Sequence, residues 1–407
     1  MDNVTHALAG CLLAAGTVAV LERRGVTVPQ SFRRAAVAVG IITAELPDAD
    51  LLYAGPSLGM GKLGYLLHHR GHTHTVLFAV VAALLVWLVT LAFRKQLRDQ
   101  ALKSSLLVLA LLGTLSHLAL DFTNNYGVHP FWPVSNRWYY GDAVFIVEPW
   151  LWVCTIPVLF FRYRSVVPRV LLALLLVAIL LAAWVLGMVG RDVAAALTVA
   201  TLVWFGVARK LPAPRQLSAA IAAWLFVEAA FFAASWRAGQ LVRAAVGEST
   251  YRDVALTPFV GNLLCHNALV IELDGATYRV SEAVVATFSA IRPATNCASA
   301  ARGGVPGTSL STRVATLTVR WAGEWSAPVA DLRRIVRDNC EIAAAMQFIR
   351  APAWRELQSG GVEIGDVRFG SLSAGFAAIT ASPTPAECPR FVPGWIPPRA
   401  DLLSASP

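Results

Sequence analysis

Charged side chains are scarce in this chain: Asp, Glu, Lys and Arg make up only 14% of its 407 residues, against 56% for hydrophobic residues. The scarcity is uneven, because apolar runs dominate residues 4–236 while residues 237–407 carry mixed polar sequence. A chain of this length exceeds one ordinary globular core. The composition therefore excludes a single soluble domain and predicts at least two units, one of them strongly apolar.

Several apolar runs reach the roughly 20 residues needed to cross a bilayer. Two weaker runs, 4–21 and 35–52, contain polar residues, and the six clearest are 75–93, 105–120, 145–161, 166–189, 193–208 and 217–236. We therefore predict an α-helical polytopic membrane protein with about eight transmembrane helices and a C-terminal extracytoplasmic α+β domain.

Other features are missing. No internal repeat occurs, nor any inverted pair of broken helices of the kind that transporters show. The sequence LAGC at 8–11 resembles a lipoprotein cleavage site. It lacks the preceding basic and apolar regions of a signal peptide, so we expect neither cleavage nor lipidation there.

The formal charge of +9 could indicate binding to nucleic acid or to a membrane surface. Its placement favours the membrane, because fourteen Lys and Arg residues lie in alternate loops between the runs and only four lie in the others. By the positive-inside rule the basic loops are cytoplasmic, so both termini are predicted to be extracytoplasmic and no nucleic-acid partner is expected. The basic residues are Arg23, Arg24, Arg33, Arg34, Arg94, Lys95, Arg98, Lys103, Arg162, Arg164, Arg169, Arg209, Lys210 and Arg215.

We divide the chain into a metal-site membrane domain of about five spans (1–165), three further transmembrane helices (166–236) and an extracytoplasmic α+β domain (237–407). The last unit contains four of the six cysteines, Cys265, Cys297, Cys340 and Cys388. In an extracytoplasmic domain they would form two disulfides with three possible pairings. Four reduced thiols are the alternative.

Histidines and acids occur together in the first 150 residues. The stretch HHRGHTHT at 68–75 holds four of the eight histidines in the chain. Other segments add MDNVTH at 1–6, ELPDAD at 45–50 and SHLALD at 116–121. The predicted topology puts all of them on the outer side of the membrane, where imidazole and carboxylate groups together suit Zn²⁺, Mn²⁺ or Fe²⁺.

Each of these segments is weak evidence on its own. A single HxxxD pair in a helix is more often structural, PDAD can be a turn, and HHRGHTHT can be a solvated loop. Their joint occurrence favours a metal site over a polar, pH-responsive structural network.

The same residues resemble a known family. The order of motifs is similar to that of membrane-bound metal-dependent hydrolases related to YdjM and YbcI, over about residues 1–160. Glu148 stands where Asp is expected, and Thr75 where Ser is usual. The matching residues are Asp2, Thr5, His6, Pro47, Asp48, Asp50, His69, Arg70, Gly71, Thr73, His74, His117, Asp121, Gly127, Pro130, Phe131, Asp142, Ile146, Glu148 and Pro149.

The resemblance and the residue pattern together predict hydrolysis at the outer membrane–water interface. The expected substrate is an ester or phosphoester of a lipid-like molecule, and the expected cofactor is one or two divalent ions, with Zn favoured over Mn or Fe. Asp50 or Asp142 is the candidate general base, and Arg70 is a candidate for holding an anionic group. The predicted metal ligands or their immediate neighbours are His6, Asp48, His69, His74, His117 and Asp121.

Alternatives remain at this stage. Arg70 could instead extend towards lipid headgroups. A metal-ion transporter would need ligands through the depth of the bilayer, and a membrane-anchored sensor would leave the His and Asp residues without a role.

Overall fold

A computed structural model describes residues 1–55, 60–94, 99–187, 189–297, 305, 313–372, 375–383 and 387–404. Among the predicted cytoplasmic basic residues, Lys95 and Arg98 lie outside these ranges. The described part of the chain consists of an N-terminal helical region followed by two antiparallel sheets with short helices.

In the described part of the chain, eight helices coincide with the eight predicted spans, and six of them are long and apolar enough to be candidate membrane spans. The two shorter ones are α2 (Gln30–Glu45) and α7 (Pro149–Arg162), where proline lies next to or inside each helix. The six are α1 (Asn3–Arg23), α5 (Val76–Phe93), α6 (Gln100–Phe122), α8 (Val166–Val185), α9 (Arg191–Lys210) and α10 (Ala213–Val246). The last of these continues past the predicted domain boundary at residue 236.

Helices α1, α2 and α6 pack unusually closely. A Cβ atom added to Gly10 of α1 would lie only 2.3 Å from the carbonyl oxygen of Gly40 in α2. A Cβ atom on Gly113 of α6 would lie 2.0 Å from Oγ1 of Thr43. Only glycine permits such an approach of two helices. The contact holds the carboxyl end of α2 against α1 and α6, which positions the acids that follow α2.

Short elements connect α2 to α5. A 3₁₀ helix covers Leu46–Asp50, and two short helices follow, α3 (Leu51–Ala54) and α4 (Gly61–His68). The chain then turns through Arg70, whose φ of +63° lies in the left-handed region. Thr75 caps α5 by accepting a hydrogen bond from the Phe78 amide at 3.0 Å. The histidine-rich stretch is thus a buried turn between two helices.

The C-terminal region contains a four-stranded antiparallel sheet in the order β1-β2-β3-β4 and a three-stranded one in the order β5-β6-β7. The predicted helical segment 329–349 is split at Asn339 into α11 (Val329–Asp338) and α12 (Cys340–Ala345), and a last short helix, α13, spans Ala400–Leu403. The strands are β1 (Tyr251–Phe259), β2 (Asn262–Asp274), β3 (Thr277–Ala286), β4 (Val319–Pro328), β5 (Pro352–Glu356), β6 (Val362–Asp366) and β7 (Ala378–Ala381).

Two disulfides crosslink this region, as predicted from its four cysteines. Cys265 pairs with Cys297, and Cys340 pairs with Cys388. The second bridge joins the start of α12 to the segment that precedes Trp395, a residue only 2% exposed. It therefore ties that segment to the folded domain.

Arg350 connects the two regions. Its guanidinium group contacts Asp253 in β1 at 2.9 Å and Asp142, in the loop before α7, also at 2.9 Å. The same group lies over the ring of Tyr140, 4.3 Å from its centre. Since this arginine is almost entirely buried, the C-terminal domain is fixed on the helical region through a desolvated charge cluster.

Candidate metal centre

Four side chains from three segments meet where α2, α5 and α6 have their predicted outer ends, and we call them the cluster. Asp48 comes from the 3₁₀ helix after α2, and His74 from the turn before α5. His117 and Asp121 lie one turn apart on α6, on the same face. One ligand atom from each residue lies within 4.8 Å of all the others.

The separations within the cluster have the dimensions of a metal site. His74 Nε2 lies 3.4 Å from Asp48 Oδ1, 3.0 Å from Asp121 Oδ2 and 3.1 Å from His117 Nε2. His117 Nε2 lies 3.5 Å from each of the same two carboxylate oxygens. Four ligands about 2.0–2.1 Å from a tetrahedral ion lie about 3.3 Å from one another. These five separations are close to the edges of a tetrahedral coordination shell.

The two carboxylate oxygens at these corners need a partner. Asp48 Oδ1 and Asp121 Oδ2 are both buried, and neither accepts a hydrogen bond of good geometry from the described part of the chain, although Arg70 Nε forms an ion pair with Asp121 Oδ2 at 3.0 Å. Buried oxygens without donors are costly. A divalent cation between them satisfies both, so the donor set fits a metal ion.

Both histidines are held in the tautomer that a metal requires. His117 donates from Nδ1 to the carbonyl oxygen of Ala44 at 2.6 Å, which leaves Nε2 free to bind. Thr73 donates its hydroxyl proton to Asp50 at 2.7 Å, so its oxygen can accept from His74 Nδ1 at 3.0 Å. Such outer partners orient metal-binding imidazoles and raise their basicity.

A second group shares one residue with the first. Asp48, Asp50 and His69 also have ligand atoms within 4.8 Å of one another. Asp50 is fully buried, and one of its oxygens lies 2.9 Å from His69 Nδ1. Its other oxygen accepts the backbone N–H of Arg70, also at 2.9 Å. Asp48 is thus placed between two groups that could each hold an ion.

Arg70 does not extend towards lipid headgroups. Its side chain is 3% exposed, and its Nε lies 3.0 Å from Asp121 Oδ2. It also donates from Nη1 to Asn124 at 2.9 Å and lies over the ring of Tyr126. These contacts make Arg70 a positioning residue for Asp121.

His6 lies beside the cluster but belongs to neither ligand group. Its ring stacks on that of His117 at 3.8 Å, and its Nε2 is 3.3 Å from Asp121 Oδ1. The α-amino group of Met1 contacts the same carboxylate oxygen. Of the six predicted ligands, four form the cluster, His69 belongs to the second group, and His6 packs against both His117 and Asp121.

Asp142 is not brought to the cluster. Its carboxylate is engaged by Arg350 at 2.9 Å, and burial raises its pKa above the ordinary value despite that contact. Its backbone adopts a φ of +52° in the loop before α7. Asp142 is therefore engaged in joining the two regions.

Other motif residues have structural roles. Asp2 caps α1 by accepting hydrogen bonds from the amide and the hydroxyl of Thr5, at 3.0 and 2.5 Å. Glu148 caps α7 through the amide of Trp150 and accepts a second hydrogen bond from Gly261 in the C-terminal domain, each at 3.2 Å. Asp2 thus fixes the helix that carries His6, and Glu148 joins the two regions.

Aromatic residues of the C-terminal domain pack beside the histidine-rich turn, which the sequence did not indicate. Trp395 stacks on His129 with ring centres 3.8 Å apart and donates to the carbonyl oxygen of Leu67 at 2.8 Å. Tyr65 packs against His69 at 4.8 Å and against Phe376 at 5.2 Å. We call Trp395 and Phe376, with Phe348 and Phe369 packed on Tyr126, the aromatic cap.

Comparisons with known proteins agree with the N-terminal motifs. A model of the YdjM inner membrane protein family matches residues 1–191. The inner membrane protein YbcI of Escherichia coli (strain K12) is 33% identical over 129 residues, which is 31% of this chain and 65% of that relative. No solved structure matches the chain.

These matches and the apolar helices indicate a multi-pass protein of the inner membrane. The matched region contains every residue of the cluster, whereas the aromatic cap lies beyond it. Residues 1–191 of the chain are therefore related to the inner membrane proteins YdjM and YbcI.

Proposed function

We propose that this protein is a membrane-embedded, metal-dependent hydrolase that acts at the outer membrane–water interface. The observation that carries the proposal is the set of 3.0–3.5 Å separations among two imidazole nitrogens and two carboxylate oxygens. A divalent ion in that position polarises a carbonyl or phosphoryl group and acidifies water. Zn²⁺ suits the tetrahedral arrangement, and Mn²⁺ or Fe²⁺ accepts the same donors.

The protein's own residues prepare the site for this chemistry. Asp50 and Thr73 hold His74, Ala44 holds His117, and Arg70 holds Asp121, so little rearrangement is needed when an ion binds. Asp48 belongs to both groups, so it would hold either of two ions. A phosphoester or an ester is the substrate class that such a site serves.

The surroundings favour a lipid-like substrate. The Asp48 side chain is 12% exposed, whereas those of His74, His117 and Asp121 are fully buried. Leu51 and Leu52 directly follow this acid segment and are 43% and 80% exposed. Apolar side chains that project beside the ends of membrane helices are typical of a surface embedded among lipid headgroups. An amphiphile with its polar part at the Asp48 edge fits this position.

The proposal is tested by replacing His74 with alanine and measuring both bound metal and hydrolysis. We expect purified wild-type protein in lipid nanodiscs to carry stoichiometric metal and to cleave a phosphoester or ester lipid, with loss of cleavage on chelation. His74→Ala should lower metal affinity by more than about 100-fold. His72→Ala is the matched control, since His72 lies in the same turn but packs on Trp132 and Trp395. Equal metal content in the two variants contradicts the proposal.

Metal binding should strengthen as pH rises. In the metal-free protein, burial alone lowers the pKa of His74, but Asp121, Asp48 and Asp50 raise it to about 10. At pH 6–8 an ion must therefore displace a proton from this imidazole, and affinity should increase about tenfold per pH unit in that range. Competition titrations with a chelating dye at pH 6, 7 and 8 measure this slope. A flat response would show that no proton leaves His74 when an ion binds.

A further inference from the structure

A long apolar groove lies between α1, α6 and α10. It encloses about 850 Å³, and its wall includes Ala9, Gly16, Ser116, Ala119, Trp224 and Phe232. Arg24 and Glu228 are the only charged residues lining it among those that the structure describes. A cavity of this size and lining is suited to an apolar ligand rather than to water. Because its three walls are candidate membrane spans, that ligand comes from the bilayer.

The groove runs nearly the full length of its helices. Along α6 its wall extends from Ser104 to Thr123, which corresponds to about 28 Å at ~1.5 Å per residue. The hydrocarbon core of a bilayer is about 30 Å thick, so an acyl chain anchored at one surface reaches only to the middle. A hydrocarbon chain that enters this groove at one end and fills it must therefore extend past the midplane of the bilayer.

One end of the groove adjoins the cluster. Leu120 and Thr123 line it on either side of Asp121, and Thr123 contacts the sulfur of Met1 at 3.7 Å. Met1 in turn touches Asp121. On α1, His6 lies one turn beyond Ala9 and close to the same helix face. The groove therefore leads from the bilayer interior to the residues beside the cluster.

The other surroundings of the cluster differ from the groove. On the side of the C-terminal domain, the aromatic cap packs on His129 and on Tyr65, and its Trp395 is 2% exposed. The Asp48 edge is polar, with Asn3 donating to Glu45 at 2.8 Å. Water and ions suit that polar edge, whereas the apolar wall of the groove suits a hydrocarbon chain.

We infer that the groove between α1, α6 and α10 binds the hydrocarbon chain of a long-chain isoprenoid lipid, with the polar end of that lipid at the cluster. This inference rests on the proposed function for the role of the polar end, but the chain site itself does not require catalysis. The ligand class follows from the depth of the groove, which exceeds the reach of a single-leaflet acyl chain.

Photocrosslinking tests the inference. Wild-type protein in nanodiscs is irradiated with a polyprenyl phosphate that carries a diazirine near its chain end, and the labelled peptides are mapped. We expect labelling of α1, α6 and α10, and a decrease of about tenfold or more in Ala119→Trp, whose indole fills the groove. Val177→Trp is the control, because Val177 is 52% exposed on α8 and does not line the groove.

A second probe, a phospholipid with a diazirine on its acyl chain, tests the ligand class. The inference is overturned if both tryptophan variants label like wild type, or if the phospholipid labels the groove as strongly as the isoprenoid. Metal content is measured on the same samples. If the protein binds metal normally but the groove is not labelled, the chain site alone is refuted. If the groove is labelled but the protein binds no metal, the chain site is supported and the proposed hydrolase is refuted.

Discussion

Replacing Asp48 with asparagine is expected to remove metal from both ligand groups at once. Asp48 is the residue that the two groups share, and asparagine keeps its shape while removing the charge that a divalent ion needs. We expect metal affinity to fall by more than about 100-fold and hydrolysis to fall at least as far. Elemental analysis and activity measured on the same preparation would record both losses.

Two comparisons make this prediction specific. Glu45→Gln alters an acid just before Asp48 that bonds Asn3 and belongs to neither ligand group, so it should leave metal content unchanged. His69→Ala removes a residue of the second group only, so it should leave at least one ion in place. If Asp48→Asn retains the wild-type stoichiometry, the carboxylate is not a ligand to either ion.

Replacing Arg350 with alanine is expected to be the most destabilising change outside the metal centre. The substitution leaves Asp142 without its cation and leaves Asp253 with only the longer contact to Arg399 at 3.4 Å, and breaking a buried ion pair in this way costs about 3–5 kcal/mol. The free energy of unfolding can be measured by urea titration of the protein in detergent, followed by tryptophan fluorescence.

The matched control is Arg355→Ala. Arg355 also pairs with an acid, Glu363, at 2.6 Å, but its side chain is 54% exposed, so the expected loss is below about 1 kcal/mol. Equal losses in the two variants would contradict a central role for Arg350.

The effect of Arg350→Ala should also depend on pH. Burial opposes ionisation of Asp253, but Arg350 more than offsets this and holds the pKa of that carboxyl below its ordinary value. A group of this kind stabilises the fold above its unfolded pKa of about 4, and the stabilisation is lost as pH falls through the folded value. The difference between wild type and variant should therefore shrink below about pH 4.

The positions of the helices followed from the sequence, because long apolar runs have few alternatives. The lengths of the helices could not be predicted from the apolar runs. The run at 35–52 contains Pro47 and three acids, so its α helix ends at Glu45 and a 3₁₀ helix takes over. Helix α10 continues to Val246 through the predicted domain boundary, since its outer part packs on the sheet with Ala238 and Val242 fully buried. Tertiary packing, which is invisible in a hydropathy pattern, extends this helix.

The cluster was predictable to a similar degree. Alternate basic loops and the order of motifs predicted that Asp48, His74, His117 and Asp121 share one membrane face, and the structure brings the four together. The turn at Arg70 was not foreseeable, because its left-handed backbone depends on Asp50 accepting the Arg70 amide from a distant segment. Trp395 and its neighbours lie far along the chain in sequence without a motif, so their place beside the histidine-rich turn required the structure.

The position of the aromatic cap within the chain has a consequence for biosynthesis. A ribosome makes the polypeptide from its N-terminus, so every ligand residue up to Asp121 is inserted into the membrane well before Trp395 is translated. The segment that carries Trp395 also follows Cys388, whose bond to Cys340 ties it to the domain. A newly made protein therefore passes through a stage in which the residues of the cluster have been made and the aromatic cap has not.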